Sequence, residues 1–390
     1  MKRFDIAIVG AGIAGSALSA ALANSGLSIV LLDKRTNSLD TARGDAIQPV
    51  MCETLAKWGV LQALIDAGAE KRYATRWFDS QGSEILSVPV ELNGLKAPWF
   101  RFLNHEVIGN CLIRHAIDGG AKSLEGIKSW SAERVPDGWR MEVKDSDGKA
   151  QQFSATMLVG ADGTGSLVRK QLRIKEQVHR YKYPIAVFWG RESSVSNRRT
   201  LDVHLTPDRI VSMIPRTQGG SKIAFPIDRS ELSEWRVCES KNICTRLREW
   251  SSAIDLSQAK FGAIYLPVSV QTERWIGEGA SVLLGDACHA MHPARSMGMN
   301  TCFRLADNLS KSLKGLGSGF SETDASEILV QFENEFKPII DQRLAENHTA
   351  GQDMDTLAGQ GFLNLKSRLQ NASKNQQILQ GMALSSAGLK

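Results

Sequence analysis

Gly10, Gly12 and Gly15 are spaced as G-x-G-x-x-G and follow directly on the strand-like run of residues 4–9. In dinucleotide chemistry each of these glycines has its own task. The first permits a tight turn, the second lets a pyrophosphate approach the backbone, and the third lets a helix and a strand pack closely. The pyrophosphate then rests on the positive N-terminus of the helix that Ala14 and Gly15 open. Asp33 stands 18 residues after Gly15, at the end of a second apolar run over residues 27–32, with Lys34 and Arg35 behind it. A carboxylate at that point accepts ribose hydroxyls. This motif alone does not separate one dinucleotide from another.

Two further signatures separate them. Gly160-Ala161-Asp162-Gly163 follows the apolar residues 157–159, and Gly285-Asp286 follows residues 281–284. Both acids fall at strand ends, on the rim outside the carboxyl ends of parallel strands where ligands bind. Asp162 is either a structural acid or one facing the cofactor. After Pro293, Gly298-Met299-Asn300 opens another helix. Its free backbone N–H groups are suited to the pyrimidine end of an isoalloxazine, because reduced flavin carries negative charge at N1 and O2. Three signatures in this order point to FAD.

On these residues the chain resembles the class A flavoprotein monooxygenases, the para-hydroxybenzoate hydroxylase-like family, from residue 4 to about residue 345. The run Arg43-Gly44-Asp45-Ala46-Ile47-Gln48-Pro49 is similar to the family's stretch behind the flavin, and Phe332-Glu333 with Pro338 to its late helical motif. The resemblance implies that Arg43 contacts the flavin or the pyrophosphate. It aligns His105 where many members carry Arg facing the FAD phosphates, leaving Asn104 and His105, or Arg101, to serve there. Many members also carry G-x-G where this chain has Ser296-Met297-Gly298, and Ser296 is small enough to keep the turn. The cofactor set is thus Gly10, Gly12, Ala14, Gly15, Asp33, Lys34, Arg35, Arg43, Asn104, His105, Asp162, Asp286, Gly298, Met299 and Asn300.

The activity implied is that of an NAD(P)H-dependent monooxygenase. FAD uses the single dinucleotide signature, so NADH or NADPH binds transiently, without a Rossmann domain of its own. Hydride reduces FAD, O2 adds at C4a, and the hydroperoxide hydroxylates an aromatic or heteroaromatic small molecule, in secondary metabolism or aromatic catabolism. The flavin carries the hard step while the protein positions substrate and excludes water. No side-chain nucleophile is required, and no side chain is assigned as catalytic. A flavin-dependent reductase of the same superfamily and a non-catalytic flavoprotein are the rival readings. A halogenase is disfavoured because no W-x-W-x-I-P-like segment is present.

These residues need a scaffold. Strand, tight turn, helix and strand over residues 4–33 make a βαβ unit, with the second strand apolar throughout, as a buried parallel strand is. A helix is expected near 105–117, a hairpin around 139–143 and 153, and a single helix over 231–250. Alternating, turn-punctuated runs at 185–189, 200–205, 210–215 and 222–227 predict a second sheet, to which strands from 71–100 contribute. The chain after Asn300 reads as helical, with a glycine-rich loop at 315–319. The fold class is therefore α/β: a discontinuous Rossmann-type FAD-binding domain (1–70, 101–178 and 271–345), an inserted β-sheet substrate domain (71–100 and 179–270) and a C-terminal helical segment (346–390). The substrate pocket is expected between flavin and inserted sheet. Candidate lining residues are Tyr181, Tyr183, Phe188, Trp189, His204, Met213, Pro215 and Phe225, with His289 and Pro293, though alternation alone does not say which face meets the flavin. His204, Tyr181 and His289 are the candidate bases for a phenolic substrate.

Composition narrows the field further. The chain of 390 residues is 42% hydrophobic, enough for a large core. It has no apolar run of about 18 residues, so no membrane span is expected, and its start has no separate leader-like segment, which suits a cytoplasmic protein. Six scattered cysteines without a C-x-x-C pair argue for reduced, buried thiols. His289 and His292 share H-x-x-H spacing, but without a third ligand no metal is expected. A net charge of +5, from 47 basic and 42 acidic residues with no polybasic run, does not describe a nucleic-acid binder. Partners reduce to the small aromatic substrate and O2, in a monomer or homodimer.

Overall fold

The computed structural model describes residues 1–36, 46–192, 200–217, 219–357 and 360–389. Arg43 lies outside them. The first strand, Lys2–Val9, leaves at Gly10 and enters the helix Ile13–Ala21. Gly10 has φ +104°, and a Cβ there would stand 2.3 Å from the carbonyl oxygen of Ala161. A Cβ on Gly15 would stand 1.9 Å from the carbonyl oxygen of Gly10. Turn, helix and neighbouring strand thus close to distances that only hydrogen atoms permit.

The first strand is central. It pairs in parallel with Ile29–Leu32 on one side and Ala150–Gly160 on the other. Lys122–Leu124 and Ser281–Leu283 extend the parallel sheet outwards. All four residues of Ile29–Leu32 are buried, as expected for a parallel strand covered on both faces. The long strand Ala150–Gly160 serves twice: its early half pairs antiparallel with Gly138–Asp145, its late half in parallel with the neighbours above. The predicted hairpin around 139–153 is this pair.

The second sheet runs in the order Leu256–Tyr265, Ile185–Glu192, Ser221–Pro226, Ile210–Pro215, Thr200–Leu205, Ala74–Phe78, Glu84–Pro89. Residues 71–100 do not all join it. Glu70–Arg72 and Phe100–Phe102 instead pair with Ala46–Ile47 in a small three-stranded sheet between the larger two. The expected single helix over 231–250 is two, Leu232–Val237 and Ser240–Trp250, because Cys238 and Glu239 are extended. The break throws Val237 outwards and sends Trp235, Ile243 and Leu247 into one core with Phe188 and Met213.

Four helices follow: Gly298–Leu316, Glu322–Met354, Gln360–Ser373 and Gln376–Ala387. The long one starts on a capping box between Ser321 and Asp324. The glycine-rich loop before it is pinned to the start of the chain, where the Asp5 carboxylate accepts from Gly319 N–H (2.8 Å) and the Ser318 hydroxyl (3.2 Å). Among the described residues no helix is long and apolar enough to cross a membrane.

Candidate functional site

A cavity of about 620 Å³ opens at the carboxyl ends of the parallel strands. The three signatures converge on it. Gly10, Gly12 and Ala14 line it from the first, Asp162 and Gly163 from the second, Asp286, Gly298 and Met299 from the third. Asp33, Lys34, Arg35 and His105 complete the rim. Gly15 sits beneath, spent on packing against Gly10. Asn104 precedes the helix His105–Asp118 as its N-cap and does not line the cavity. Arg101 does not reach in either: it is buried and donates to the Ala69 carbonyl (2.7 Å).

The cavity fits FAD on two observations. The helices Ile13–Ala21 and Gly298–Leu316 both start at its wall, and neither has a side chain capping its first N–H groups. Those donors are left for an anion or a pyrimidine edge. Cβ atoms built on Gly12, Gly165 and Gly298 would meet no protein atom within 4 Å, and none of the three has a left-handed backbone, so neither packing nor backbone conformation accounts for glycine there. The volume falls within the roughly 300–1,000 Å³ of small-molecule and cofactor sites.

The acids behave differently from one another. The Asp33 carboxylate accepts from Ala11 N–H (2.7 Å), Arg35 N–H (2.8 Å), Arg35 Nε (3.2 Å) and Arg35 Nη2 (3.3 Å). It fastens the glycine turn to the second strand, and its acceptor positions are filled in this state. Asp162 accepts from Leu167 N–H (2.7 Å), Val168 N–H (3.2 Å) and the Ser166 hydroxyl, and so organises the start of the short helix Leu167–Gln171. Of the two roles open for it, its hydrogen bonds serve the structural one. Asp286 lies on the cavity wall at the first position of Asp286–His289.

Asn300 is elsewhere. Its Oδ1 accepts from Gln48 N–H (2.9 Å), and its Nδ2 donates to the carbonyls of Ala46 and Ser296, each at 2.9 Å. It staples the 46–49 stretch to the helix behind the third signature and lines a second cavity rather than the first. Ser296, where the family often has glycine, takes φ +49°. Arg169, which the sequence did not single out, donates to the carbonyls of Thr164 and Ala287 at 2.7 Å each. It is buried and ties the second signature to the third.

The second cavity holds about 280 Å³ and adjoins the first along Tyr265, His292, Pro293, Ser296 and Met297, which line both. Its aromatic walls are Trp77, Phe100, Phe102 and Tyr183. Of the candidate pocket residues, Tyr183, Phe225 and Pro293 line it, but the Phe225 ring turns away and stacks on Phe188 in the core of the opposite face. Phe188 and Met213 point to the opposite face of the sheet, into the core beneath the two helices, and Pro215 is buried and lines neither cavity. Trp189 carries two cations against its ring, Arg216 at 4.0 Å and Lys222 at 5.4 Å. His204 stacks on Phe78 (5.2 Å) and bonds the Ser251 hydroxyl through Nδ1 (3.0 Å). His289 is buried against Trp275 and lines neither cavity. Burial lowers its pKa.

Tyr181 stands behind the junction. Its hydroxyl bonds Ser269 Oγ (2.9 Å) and His348 Nδ1 (3.0 Å), and its ring lies 4.4 Å from that of His292. Burial raises its pKa. The His292 ring accepts from Ala294 N–H at Nδ1 (3.1 Å). Burial, with His348 adding to it, pushes its pKa down to about 4. The ring is therefore neutral near pH 7, with its proton on Nε2.

With this geometry in hand, the family follows. Residues 3–346 match the model of the FAD binding domain family. The chain belongs to that family, the class A flavoproteins whose three signatures it carries, and its cofactor is FAD. It is 23% identical over 328 residues to the uncharacterized aromatic compound monooxygenase YhjG of Bacillus subtilis, covering 80% of this chain and 62% of that protein. It is 24% identical over 346 residues to the ubiquinone hydroxylase UbiM of Neisseria meningitidis, covering 85% and 73%. The chain thus spans less than two thirds of the first of these relatives. In fold it is similar to the p-nitrophenol 4-monooxygenase PnpA of Pseudomonas putida, with a TM-score of 0.84 over 100% of this chain and 99% of that one at 15% identity.

Proposed function

We propose that this chain is an FAD-dependent monooxygenase that uses NADH or NADPH and O2 to hydroxylate an aromatic or heteroaromatic small molecule. The observation that carries the reading is the junction: a cavity with the features of a flavin site adjoins an aromatic-walled cavity along Tyr265, His292, Pro293, Ser296 and Met297. The names of the relatives, an aromatic compound monooxygenase and a ubiquinone hydroxylase among them, support it. Bound FAD supplies hydride acceptance and activation of O2.

The protein's own part is binding, orientation and exclusion of water. The two uncapped helix N-termini would hold the pyrophosphate and the pyrimidine edge. Asp33, which accepts from Ala11 N–H and from Arg35, would be the acceptor for a ribose hydroxyl. Apolar walls dry the second cavity, which strengthens every polar contact made inside it. His292 offers its Nε2–H at the junction as a neutral donor. In this reading residues 1–70, 101–178 and 271–345 hold the cofactor, and 71–100 with 179–270 carry most of the substrate wall.

The test is the visible spectrum of the purified protein, then NADH and NADPH oxidation with oxygen uptake across phenols, indoles and quinolones. A flavin spectrum, uptake raised by one class and an oxygenated product carry the proposal. Bound flavin with oxidation but no oxygen incorporated moves the chain to the reductases, and no stimulated oxidation leaves a non-catalytic flavoprotein.

A further inference from the structure

The second cavity is only partly built by the segment that matches the family, which ends at residue 346. Met354, Met382, Ser385 and Ser386 contribute to its lining from beyond that point. The last three belong to the helix Gln376–Ala387. Two arginines tie this end of the chain down. Arg295 Nη2 donates to the Ser385 hydroxyl (2.6 Å), and Arg304 donates to the Gly388 carbonyl. Arg295 and Ser385 both line the cavity, so their bond fixes a guanidinium at its wall.

The bonds that fix Arg295 leave most of its donors over. Ser385 takes one N–H on Nη2, and Glu346 takes one on Nη1 at 3.5 Å. Nε and one N–H on each terminal nitrogen remain. Ser385 is the acceptor in its bond, so its own O–H is left to donate, and Ser386 adds a second hydroxyl to the same wall. The surroundings are positive. Burial and then Arg343 lower the pKa of Arg304, and burial lowers that of Arg343, with Glu346 opposing and Arg295 adding to it. Glu346 does not line the cavity and is half-exposed, where water screens it. Asp355 is the acidic side chain among the described lining residues, and both its oxygens are taken. Oδ2 accepts from Lys182 N–H (2.7 Å) and Oδ1 from Tyr183 N–H (2.8 Å). A charge carried into apolar walls is costly unless it is paired and hydrogen-bonded. A guanidinium with free donors supplies that pairing for a planar carboxylate.

We propose that Arg295, with the hydroxyls of Ser385 and Ser386, forms an anion-binding end of the second cavity, and that the aromatic ligand it takes carries a carboxylate. The assignment of the cavity to substrate rests on the function proposed above. The preference for an anion rests on Arg295 and the last helix. The experiment titrates the flavin-loaded protein by calorimetry with 1-naphthoate and 6-hydroxy-2-naphthoate, each beside its neutral amide, and with NADH and NADPH. It compares the native chain with Arg295→Met, Arg295→Lys and the double variant Ser385→Ala, Ser386→Ala. Flavin content and circular dichroism serve as folding controls. The native chain is expected to bind each acid at least tenfold more tightly than its amide. Arg295→Met should erase that preference while changing the amides less than twofold. Arg295→Lys, which keeps the charge but not the fork, should retain part of it. The double variant should weaken the acids at least threefold and leave the amides unchanged, and it carries the test if Arg295→Met does not fold. Equal binding of acid and amide, folded variants that weaken both alike as a purely structural anchor would, or no binding to the native chain would each overturn the proposal. So would an Arg295→Met protein that keeps the preference for acids and loses NADH or NADPH, which would hand the guanidinium to the coenzyme. If the acid preference appears but no ligand stimulates oxygen uptake, the anion-binding end stands and the monooxygenase reading fails. If only neutral aromatics stimulate uptake, that reading stands and this proposal fails.

Discussion

At the scale of single residues, Gly12 and Gly15 give opposite predictions. A Cβ on Gly12 meets no protein atom within 4 Å, and its φ of −66° suits any residue. Gly12→Val should therefore come out colourless, because the isopropyl group occupies the space of the pyrophosphate, while its thermal midpoint stays close to that of the native apoprotein. A yellow Gly12→Val protein with normal flavin content would remove the cofactor from this turn. A Cβ on Gly15 collides with the Gly10 carbonyl. Gly15→Ala should cost about 1–3 kcal/mol of stability through overpacking, read as a lowered denaturation midpoint in the apoprotein. Ser296 is the reverse case. Its left-handed backbone costs about 1 kcal/mol in a residue with a Cβ, partly offset by glycine's larger unfolded-state entropy. Ser296→Gly should raise the midpoint slightly and keep the flavin content, and a fall in either would show that the Ser296 side chain holds the turn.

At the scale of elements, the strands, turns and helices that carry the three signatures were readable because periodicity and glycine spacing are local. The face of the second sheet was not readable. Ile210 and Ile214 meet the cavity, while Val211 and Met213 meet the core under the two helices. Both faces are covered by apolar material, so alternation carries no sign telling one from the other. Trp77, Phe100 and Met382 were missed for a related reason: the wall is assembled from elements distant in sequence, which only the topology brings together. Asn300 illustrates the same limit. Its place in Gly298-Met299-Asn300 suggested a cofactor contact, whereas it joins two elements by two buried hydrogen bonds and makes a third to Ser296 in its own turn. Asn300→Leu strands the Gln48 N–H and the Ala46 carbonyl, at about 1–3 kcal/mol for each buried group left unpaired. The expected result is a clear loss of stability in chemical denaturation and a weaker hold on flavin, since Asn300 follows Gly298 and Met299 of the first cavity's wall. Full stability in a folded Asn300→Leu protein would contradict the staple.

At the scale of the whole molecule, buried neutral histidines couple the fold to pH. His292 is buried against Tyr181, His348 and the Asn347 amide, which donates to its carbonyl at 3.0 Å. Its pKa falls from the ordinary 6.5 to about 4, and that of His289 is lowered by burial as well. The unfolded chain takes up these protons first as pH drops, so the native state loses stability between pH 6.5 and about 4. Above pH 6.5 both states are neutral and the contribution is flat. For His292 the full window corresponds to about 3 kcal/mol. Carboxylates join in at the acid end, so the informative interval is pH 6.5 to 5, and the informative quantity is the difference between native and His292→Gln proteins. Glutamine keeps a side-chain acceptor for the Ala294 N–H and does not titrate. The midpoint of urea denaturation should decline with falling pH more steeply in the native protein than in His292→Gln. Parallel lines for the two proteins would mean that His292 protonates in place, and that the junction between the two cavities carries a charge below neutral pH.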